Sequence, residues 1–344
     1  MENNERFDLI LSGDSFEPLE SGKTTAKAVP SSPRLSFTQD SWRRLKKNKG
    51  AVVSLCVLLF VASVAILAGW ISPQNPNKQS LLYVNLPPKI PGVSLYGFNG
   101  WGIVSGERVD IYTAKNVPEN VYFYLGTDAL GRDELSRLLF GIRMSLIIAV
   151  LAAVIDLGIG VAYGLFSGVC GGVADTVMQR ILEILSGIPT LVIMILMLTI
   201  FDPGLLSIVF AMIITGWVNM ARVVRAQTLK IKEQEYVYAA TVLGASSLNI
   251  ALRHILPNIA GVIIVQLMFS IPTAIFFEAF LSFIGLGLKP PIASLGTLLN
   301  EGYKTFRFLP HLMWVPAAAL SVMMICFNLL ADGMRDAFDP KTKE

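Results

Sequence analysis

The chain has 344 residues, of which 53% are hydrophobic and only 15% are charged. Soluble domains carry about 25% charged residues, so this composition excludes an ordinary soluble globule and indicates a membrane protein. A formal net charge of +3 is too small to indicate a nucleic-acid partner. With two histidines, His254 and His311, a His-based metal site or catalytic triad is not expected, and the three cysteines match no disulfide or zinc pattern.

Residues 1–35 are rich in Ser, Glu, Lys and Pro and lack hydrophobic periodicity, which predicts a disordered cytoplasmic tail. Within this tail, Ser21-Gly22-Lys23-Thr24 resembles the end of a phosphate-binding loop. The full motif needs a glycine five positions before Gly22, where Glu17 stands, and a strand–loop–helix context that is missing. We therefore expect no nucleotide site on this chain.

Six apolar runs approach the roughly 20 residues that a helix needs to cross a bilayer. Long apolar runs form helices in lipid because every backbone polar group must be satisfied internally. The sequence therefore predicts an all-α integral membrane protein with six transmembrane helices. The predicted spans are residues 51–71, 145–166, 184–201, 204–221, 259–281 and 312–330.

Basic residues near the span ends predict the orientation in the membrane. Five lysines and arginines lie between Arg43 and Lys49, so the N-terminal unit 36–72 is expected to enter the membrane from the cytoplasm. Six spans then return residues 332–344 to the same side. The loop 222–258 also lies inside in this topology, and it carries five basic residues.

Residues 73–143 separate the first two spans and are expected outside the cell. Their first part is rich in Pro, Gly, Asn and aromatic residues. Two interpretations stay open, a simple connector and a small external cap that contacts a partner. The valine-rich residues 104–112 predict a small hairpin.

Two acids lie inside predicted spans, where ionisable residues are candidates for function. Asp156 is a candidate to line a pathway through the membrane or to pair with a residue of another helix, although we favour a buried hydrogen-bonding role. For Glu278 we expect a position at the interface or an ion pair with Arg132 or Arg143, rather than a substrate contact.

Prolines and glycines inside the spans predict their shape. Pro272 predicts a kink in span five, which makes that span a candidate gate, and Pro189 predicts one in span three. Gly158, Gly160 and Gly164 predict close contact between helices.

The polar segment 235–258 predicts an amphipathic helix between two long apolar runs, and it contains Ala-Ala, a glycine and Leu-Pro. Three further blocks accompany it: GTDALGRD at 126–133, LSFIGLG at 281–287 and NLLADGMRDAFDP at 328–340. In this order, the four blocks resemble the C-type permease subunit of oligopeptide and dipeptide importers of the ATP-binding-cassette (ABC) class. The resemblance covers most of residues 36–340.

The resemblance implies a type I ABC importer permease core over residues 144–331, to which the first span and the external segment are added. It makes 222–258 the cytoplasmic coupling loop, where an ATPase contacts the permease. The loop positions that correspond to the family motif, including one where the residue differs, are Tyr238, Ala239, Ala240, Gly244, Ala245, Leu256 and Pro257.

Physical reasons support these residue types in a coupling loop. The two alanines, Ala239 and Ala240, keep one face of a helix flat, so that it can dock in a groove. Gly244 permits a sharp turn or a tight contact. We expect Pro257 to open the next span, where its missing N–H costs little.

The resemblance also implies partners. A homologous second permease subunit completes the pathway, two ATPase subunits bind from the cytoplasm, and an external binding protein delivers a short peptide. ATP and magnesium belong to the ATPase subunits. This chain is then not an enzyme, and it needs no catalytic residue, metal or cofactor of its own.

The sequence departs from the family pattern at several points. Tyr238 replaces the glutamate that begins the loop motif, which puts an acidic contact to the ATPase in doubt, and His254 replaces an isoleucine. Ser294-Leu295-Gly296 stands where Ser-Trp-Gly commonly follows the paired prolines. Alternatives remain open: an importer of the same branch for nickel or another small solute, a secondary transporter or channel, and, remotely, a membrane-embedded enzyme.

Overall fold

The structure is a computed structural model that describes residues 37–72, 74–93, 95, 97–104 and 107–338. The predicted disordered tail 1–35 and its Ser21–Thr24 sequence lie outside the described residues, as do the last residues of the C-terminal segment 332–344. Described helices account for most of the remaining chain.

The described part of the chain begins with three helices, which a segment with little regular structure follows. The helices are α1 (Phe37–Leu45), α2 (Lys49–Ile66) and α3 (Ala68–Ile71). A 3₁₀ turn at Leu81–Tyr83 precedes the strands β1 (Trp101–Val104) and β2 (Glu107–Asp110), which are followed by α4 (Ile111–Ala114).

The remaining helices form the bundle that follows. These are α5 (Glu134–Ile155), a π-helical turn (Asp156–Gly160), α6 (Val161–Cys170), α7 (Gly172–Gly187), α8 (Thr190–Ile200), α9 (Leu205–Thr215), α10 (Val218–Lys232), α11 (Glu235–Val242), α12 (Ser247–Asn249), a second π-helical segment (Ile250–Ile255), α13 (Leu256–Phe283), α14 (Leu295–Thr305) and α15 (His311–Phe338). Five continuous helical stretches of the described chain are long and apolar enough to cross a membrane, and the bent pair α7–α8 provides a sixth.

Most predicted spans are confirmed but are too short. The second span runs as one helix of 37 residues from Glu134 to Cys170, and the fifth runs from Ser247 to Phe283. At 1.5 Å per residue, 37 residues extend about 55 Å, well beyond a hydrocarbon core of about 30 Å. Hydropathy marks the apolar part of such a helix and misses the polar turns at its ends.

The third predicted span is wrong as a single helix. Helix α7 ends at Gly187, α8 begins at Thr190, and the two axes differ by 78°. Ile188 is extended (φ −92°, ψ 123°) and precedes Pro189. A residue before proline avoids the helical region, and proline has no N–H to donate, so the helix breaks at this point. The kink expected at Pro189 is therefore confirmed as a full break.

Caps position the helix ends. Asn48 begins α2 by accepting a hydrogen bond from the Ala51 amide at 3.1 Å. Asp133 begins α5 in the same way, with the Ser136 amide at 2.9 Å. Ser294 and Thr297 form a reciprocal capping box at the start of α14. Gly141 of α5 lies against Ser294 and Leu298, so the start of α14 packs on α5.

The segment between the first two spans, residues 72–133, is called the connector segment. Its strands pair as an antiparallel hairpin with Trp101 opposite Asp110, so the predicted hairpin is confirmed. Leu86, Tyr112 and Phe123 are buried in a small core of its own. The segment is therefore a folded unit and more than a simple linker.

The two ends of the bundle differ in what they carry. At one end, the connector segment contacts α14 through Arg132 and Glu301. At the other end, the start of α2 packs on the end of α15, where Ala51 meets Gly333. Lys232 reaches the carboxyl end of α6 there, at the Val169 carbonyl. We call these the connector end and the loop end.

Candidate functional site

The predicted coupling loop lies at the loop end and has a different shape from the one expected. Residues 235–258 were predicted as one amphipathic helix. They form the short helix α11, a reverse turn at 243–246, and the first turns of the fifth span. The chain therefore leaves the bundle along α10, crosses its end as α11, and returns directly into the span.

Gly244 makes this return possible. Its φ is +84°, in the left-handed region that residues with a Cβ avoid. A Cβ built at Gly244 would meet no atom within 4 Å. Of the two roles expected for this glycine, the sharp turn fits the structure and the tight contact within this chain does not.

Helix α11 is anchored by one side and exposed on the other. Val237 is 1% exposed and packs with Ile250, Ile255 and Val224 of the flanking helices. Leu243, by contrast, is 87% exposed at the tip. The anchor holds the short helix on the bundle while its outer face remains free.

The outer face is largely apolar. Tyr238 and Val242 are one helical turn apart and are each 71% exposed, and Leu243 follows them. Ala239 is exposed between them, whereas Ala240 and Ala245 are half-buried. We call Tyr238, Ala239, Val242 and Leu243 the tip face. An exposed apolar patch that is rimmed by polar residues is typical of a protein-binding surface.

Pro257 lies in the first turn of α13, as expected, but the helical stretch does not begin there. The helix already begins at Ser247, ten residues earlier in the same continuous stretch. The π-helical segment Ile250–Ile255 directly precedes Leu256 and Pro257. A widened turn leaves room for the proline ring and for the carbonyls that lose a donor, so the proline is tolerated within the helix.

Glycines allow α10 to pack closely on α6. This contact connects α11, which follows α10, to the second span. A Cβ on Gly164 would lie 2.4 Å from the Ala221 carbonyl, and one on Gly168 would lie 2.6 Å from Thr228. Gly160 meets Met220 in the same way, whereas Gly158 meets no atom. Close packing is therefore confirmed for Gly160 and Gly164 and is wrong for Gly158.

An ion pair near the loop end adds to this contact and was missed in the sequence. Arg225 of α10 donates two hydrogen bonds to the Asp175 carboxylate of α7, each 2.6 Å long. The Ser167 hydroxyl of α6 also donates to Asp175. Three helices therefore meet on one carboxylate. Sequence offered no signal for this pairing, because the partners are 50 residues apart.

Glu278 does not behave as expected. It is fully buried, and its carboxylate accepts hydrogen bonds from Ser282 at 2.8 Å and from Ser145 at 3.3 Å. Arg132 pairs with Asp128 and Glu301 instead, and Arg143 is exposed. The predicted arginine pairing and interfacial position are therefore both wrong, because serines on α5 and α13 already satisfy the carboxylate.

Asp156 and Pro272 lie in different spans, the second and the fifth. Asp156 is buried at the start of the π-helical turn in the second span and faces Ser270. Pro272 is buried inside α13, which continues on both sides of it. Asp156 lines a cavity to which the adjacent residues of α13 also contribute.

The GTDALGRD block folds as a rigid corner at the connector end. Gly126 and Gly131 have φ of +77° and +70°, and a Cβ on Gly131 would lie 1.9 Å from the Ser80 carbonyl. Asp128 accepts hydrogen bonds from the amides of Leu130 and Arg132. The motif therefore needs its glycines for backbone conformation and its aspartate for the turn.

Buried charges connect this corner to α14. Arg132 and Arg137 donate to the Glu301 carboxylate at 2.9 and 2.8 Å, and Arg137 also lies 3.5 Å from Asp128. Burial raises the pKa of Asp133, while hydrogen bonds from Ser136 oppose this shift. Sequence placed the arginines in one block but did not reveal Glu301 as their partner.

Comparison with known proteins identifies the class. Residues 160–344 match the family described as binding-protein-dependent transport system inner membrane component. Residues 36–88 match the N-terminal TM domain of oligopeptide transport permease C. The fold is similar to that of a subunit of the MetNI methionine ABC transporter in an inward-facing crystal form, with a TM-score of 0.50 and 17% identity over 59% of this chain and 97% of that one.

Curated relatives are similar over almost the whole chain. The dipeptide transport system permease protein DppC of Lactococcus lactis subsp. cremoris is 44% identical over 91% of this chain and 93% of its own length. The DppC protein of Bacillus subtilis is 42% identical over 90% and 88%. The oligopeptide transport system permease protein OppC of Escherichia coli K12 is 41% identical over 90% and 92%.

The multi-span bundle and these matches define a permease subunit of an ABC importer with the type I fold. The chain belongs to the family of binding-protein-dependent transport system inner membrane components.

Proposed function

We propose that this chain forms half of the translocation pathway of an ATP-driven importer for dipeptides or oligopeptides. The observation that carries the proposal is the tip face, an exposed apolar surface on a short helix that is anchored to two spans by Val237. Relatives that cover most of the chain and carry names of dipeptide and oligopeptide permeases support the substrate class.

The partners follow from this assignment. A second, homologous permease subunit supplies the other half of the pathway, and an external binding protein delivers the peptide. Two ATPase subunits bind ATP and magnesium, and one of them receives the tip face in a groove. ATP drives alternating access because the ATPases bind the two permease states with different affinity. This chain holds no nucleotide and performs no catalysis.

We further propose that the loop end faces the cytoplasm of the bacterial cell. Lysines and arginines between Arg43 and Lys49 lie where α2 packs on the end of α15, and Lys230 and Lys232 end α10. Basic residues that flank short loops stay on the cytoplasmic side. Both termini of the chain then lie in the cytoplasm, and the connector segment lies outside.

Two experiments test the proposal. The tagged chain is purified from membranes in detergent, its companions are identified by mass spectrometry, and the complex is reconstituted in liposomes with its binding protein. We expect a second permease, ATPase subunits, and ATP-dependent uptake of labelled di- and tripeptides. If the liposomes took up Ni²⁺ and no peptide, the substrate would be the metal ion instead of a peptide. Recovery of the folded chain alone would refute the importer assembly.

Cysteine labelling tests the orientation. In a background without the native cysteines Cys56, Cys170 and Cys326, Leu243→Cys should react with a membrane-impermeant maleimide only in inside-out vesicles. Leu81→Cys in the connector segment, where the native side chain is 90% exposed, should react only in intact cells. The reverse pattern would overturn the cytoplasmic placement of the tip face.

A further inference from the structure

A cavity with several polar lining residues lies among four of the spans. Its volume is about 210 Å³, and α5 with its π-helical turn, α8, α9–α10 and α13 supply its walls. Its polar lining residues include Asp156, Thr190, Asn219, Gln266, Ser270 and Thr273. Such a concentration of polar groups inside long apolar spans is costly unless a polar partner or water fills the space.

Asp156 is the one ionisable side chain among the described residues that line the cavity. Ser270 lines the cavity together with Asp156, and its hydroxyl donates to the Leu267 carbonyl at 3.2 Å. In the described part of the chain, no lysine, arginine or histidine forms an ion pair with Asp156. The other buried acid, Glu278, is satisfied by serines and lies outside the cavity.

The backbone at Asp156 points to a ligand independently of the charge. The α-helix widens into a π-helical turn over Asp156–Gly160 and then resumes. Such single widened turns are rare in helices and are frequent at functional sites, because the extra residue redirects the side chains around it. Here the widened turn begins at the residue that carries the charge.

The cavity is also accessible from one face of the bundle. Asn219 and Thr273 are exposed polar residues near the middle of their spans, and both line the cavity. A span face that meets lipid at this depth is apolar, so this face meets water or the second permease. It therefore has the character of a pathway wall.

We propose that this cavity, the ammonium pocket, receives the α-ammonium group of the peptide during passage, with the Asp156 carboxylate as its counter-ion. The assignment rests on the proposed peptide transport and specifies which end of the peptide is recognised. A primary ammonium supplies a cationic partner for the Asp156 carboxylate. It also donates three hydrogen bonds, which the carboxylate and the neighbouring amide and hydroxyl oxygens can accept. The volume admits one terminal residue and leaves the rest of the peptide in the pathway.

The test uses the complete reconstituted importer and two lysine-free peptides that differ only in N-terminal acetylation. Uptake rates are measured at equal occupancy of the binding protein, which is established by titration for each peptide. Wild type should transport the free-amine peptide faster. Asp156→Asn should lower the uptake rate of the free-amine peptide about tenfold, because one hydrogen bond to a charged group is lost. The uptake rate of the acetylated peptide should not change. Asp156→Glu should restore much of the difference between the peptides.

The control is Glu278→Gln, the same chemical change in a buried acid outside the cavity. It should leave the ratio of the two uptake rates at the wild-type value, whatever it does to the amount of folded protein. An Asp156→Asn importer that keeps the wild-type ratio, or that loses both peptides equally, would overturn the ammonium pocket. A wild-type importer that takes up neither peptide would refute the peptide transport itself.

Discussion

Replacement of Gly244 isolates the contribution of one backbone angle to coupling. At φ +84° a residue with a Cβ is strained by about 1–2 kcal/mol. A Cβ built at Gly244 meets no atom within 4 Å, so within this chain the backbone strain is the only cost of the substitution. The turn should then be populated about 5–30-fold less in Gly244→Ala, and still less in the β-branched Gly244→Val. Gly244→Asn should retain most activity, because asparagine tolerates this region.

The assay is ATP-dependent peptide uptake in liposomes, together with recovery of the ATPase on the tagged permease. We expect uptake to fall in the order Gly, Asn, Ala, Val while the amount of inserted permease is unchanged. Gly204→Ala is the matched control, because that glycine also has free space around its Cα but is extended. Wild-type uptake by Gly244→Val would refute the reasoning, and so would an Asn variant as impaired as Val.

Three further changes test other contacts. Leu243→Asp should weaken ATPase recovery at least severalfold without changing thermal stability, since the native side chain is 87% exposed; an unchanged pull-down would remove the tip face from the interface. Gly164→Leu should destabilise the detergent-solubilised chain by about 1–3 kcal/mol, measured by thermal unfolding, whereas Gly158→Leu should not. Glu301→Gln should lower stability by about 1–3 kcal/mol, because the buried Arg132 and Arg137 lose one of their two carboxylate partners and keep Asp128; equal melting temperatures would contradict that role.

Sequence reasoning succeeded where the physics is local. Apolar runs located the five spans that are continuous helices in the described chain, because a bilayer imposes the same requirement on each helix independently of its neighbours. A sharp turn was one of the two roles predicted for Gly244, since the tolerance of a positive φ is a property of glycine itself. The loop motif also identified the segment that carries the tip face.

It failed where a residue's role depends on distant partners. Glu278 was expected at the interface or paired with an arginine, but its buried carboxylate accepts a hydrogen bond from Ser145, which is 133 residues away. The continuous helix through Pro257 was missed because a π-helical segment relieves the usual conflict, and composition does not reveal a widened turn.

The amino-acid sequence alone determined that this protein crosses a membrane, roughly where its spans lie, which end is basic, and which family motifs it carries. These follow from the transfer of side chains and backbone between water and lipid, which depends on each segment separately. Only the tertiary structure decided that α7 and α8 bend by 78°, that Asp175 joins three helices, and that Asp156 faces a shared cavity. Those features arise from contacts between segments far apart in the chain, and their energies depend on geometry that no single segment contains.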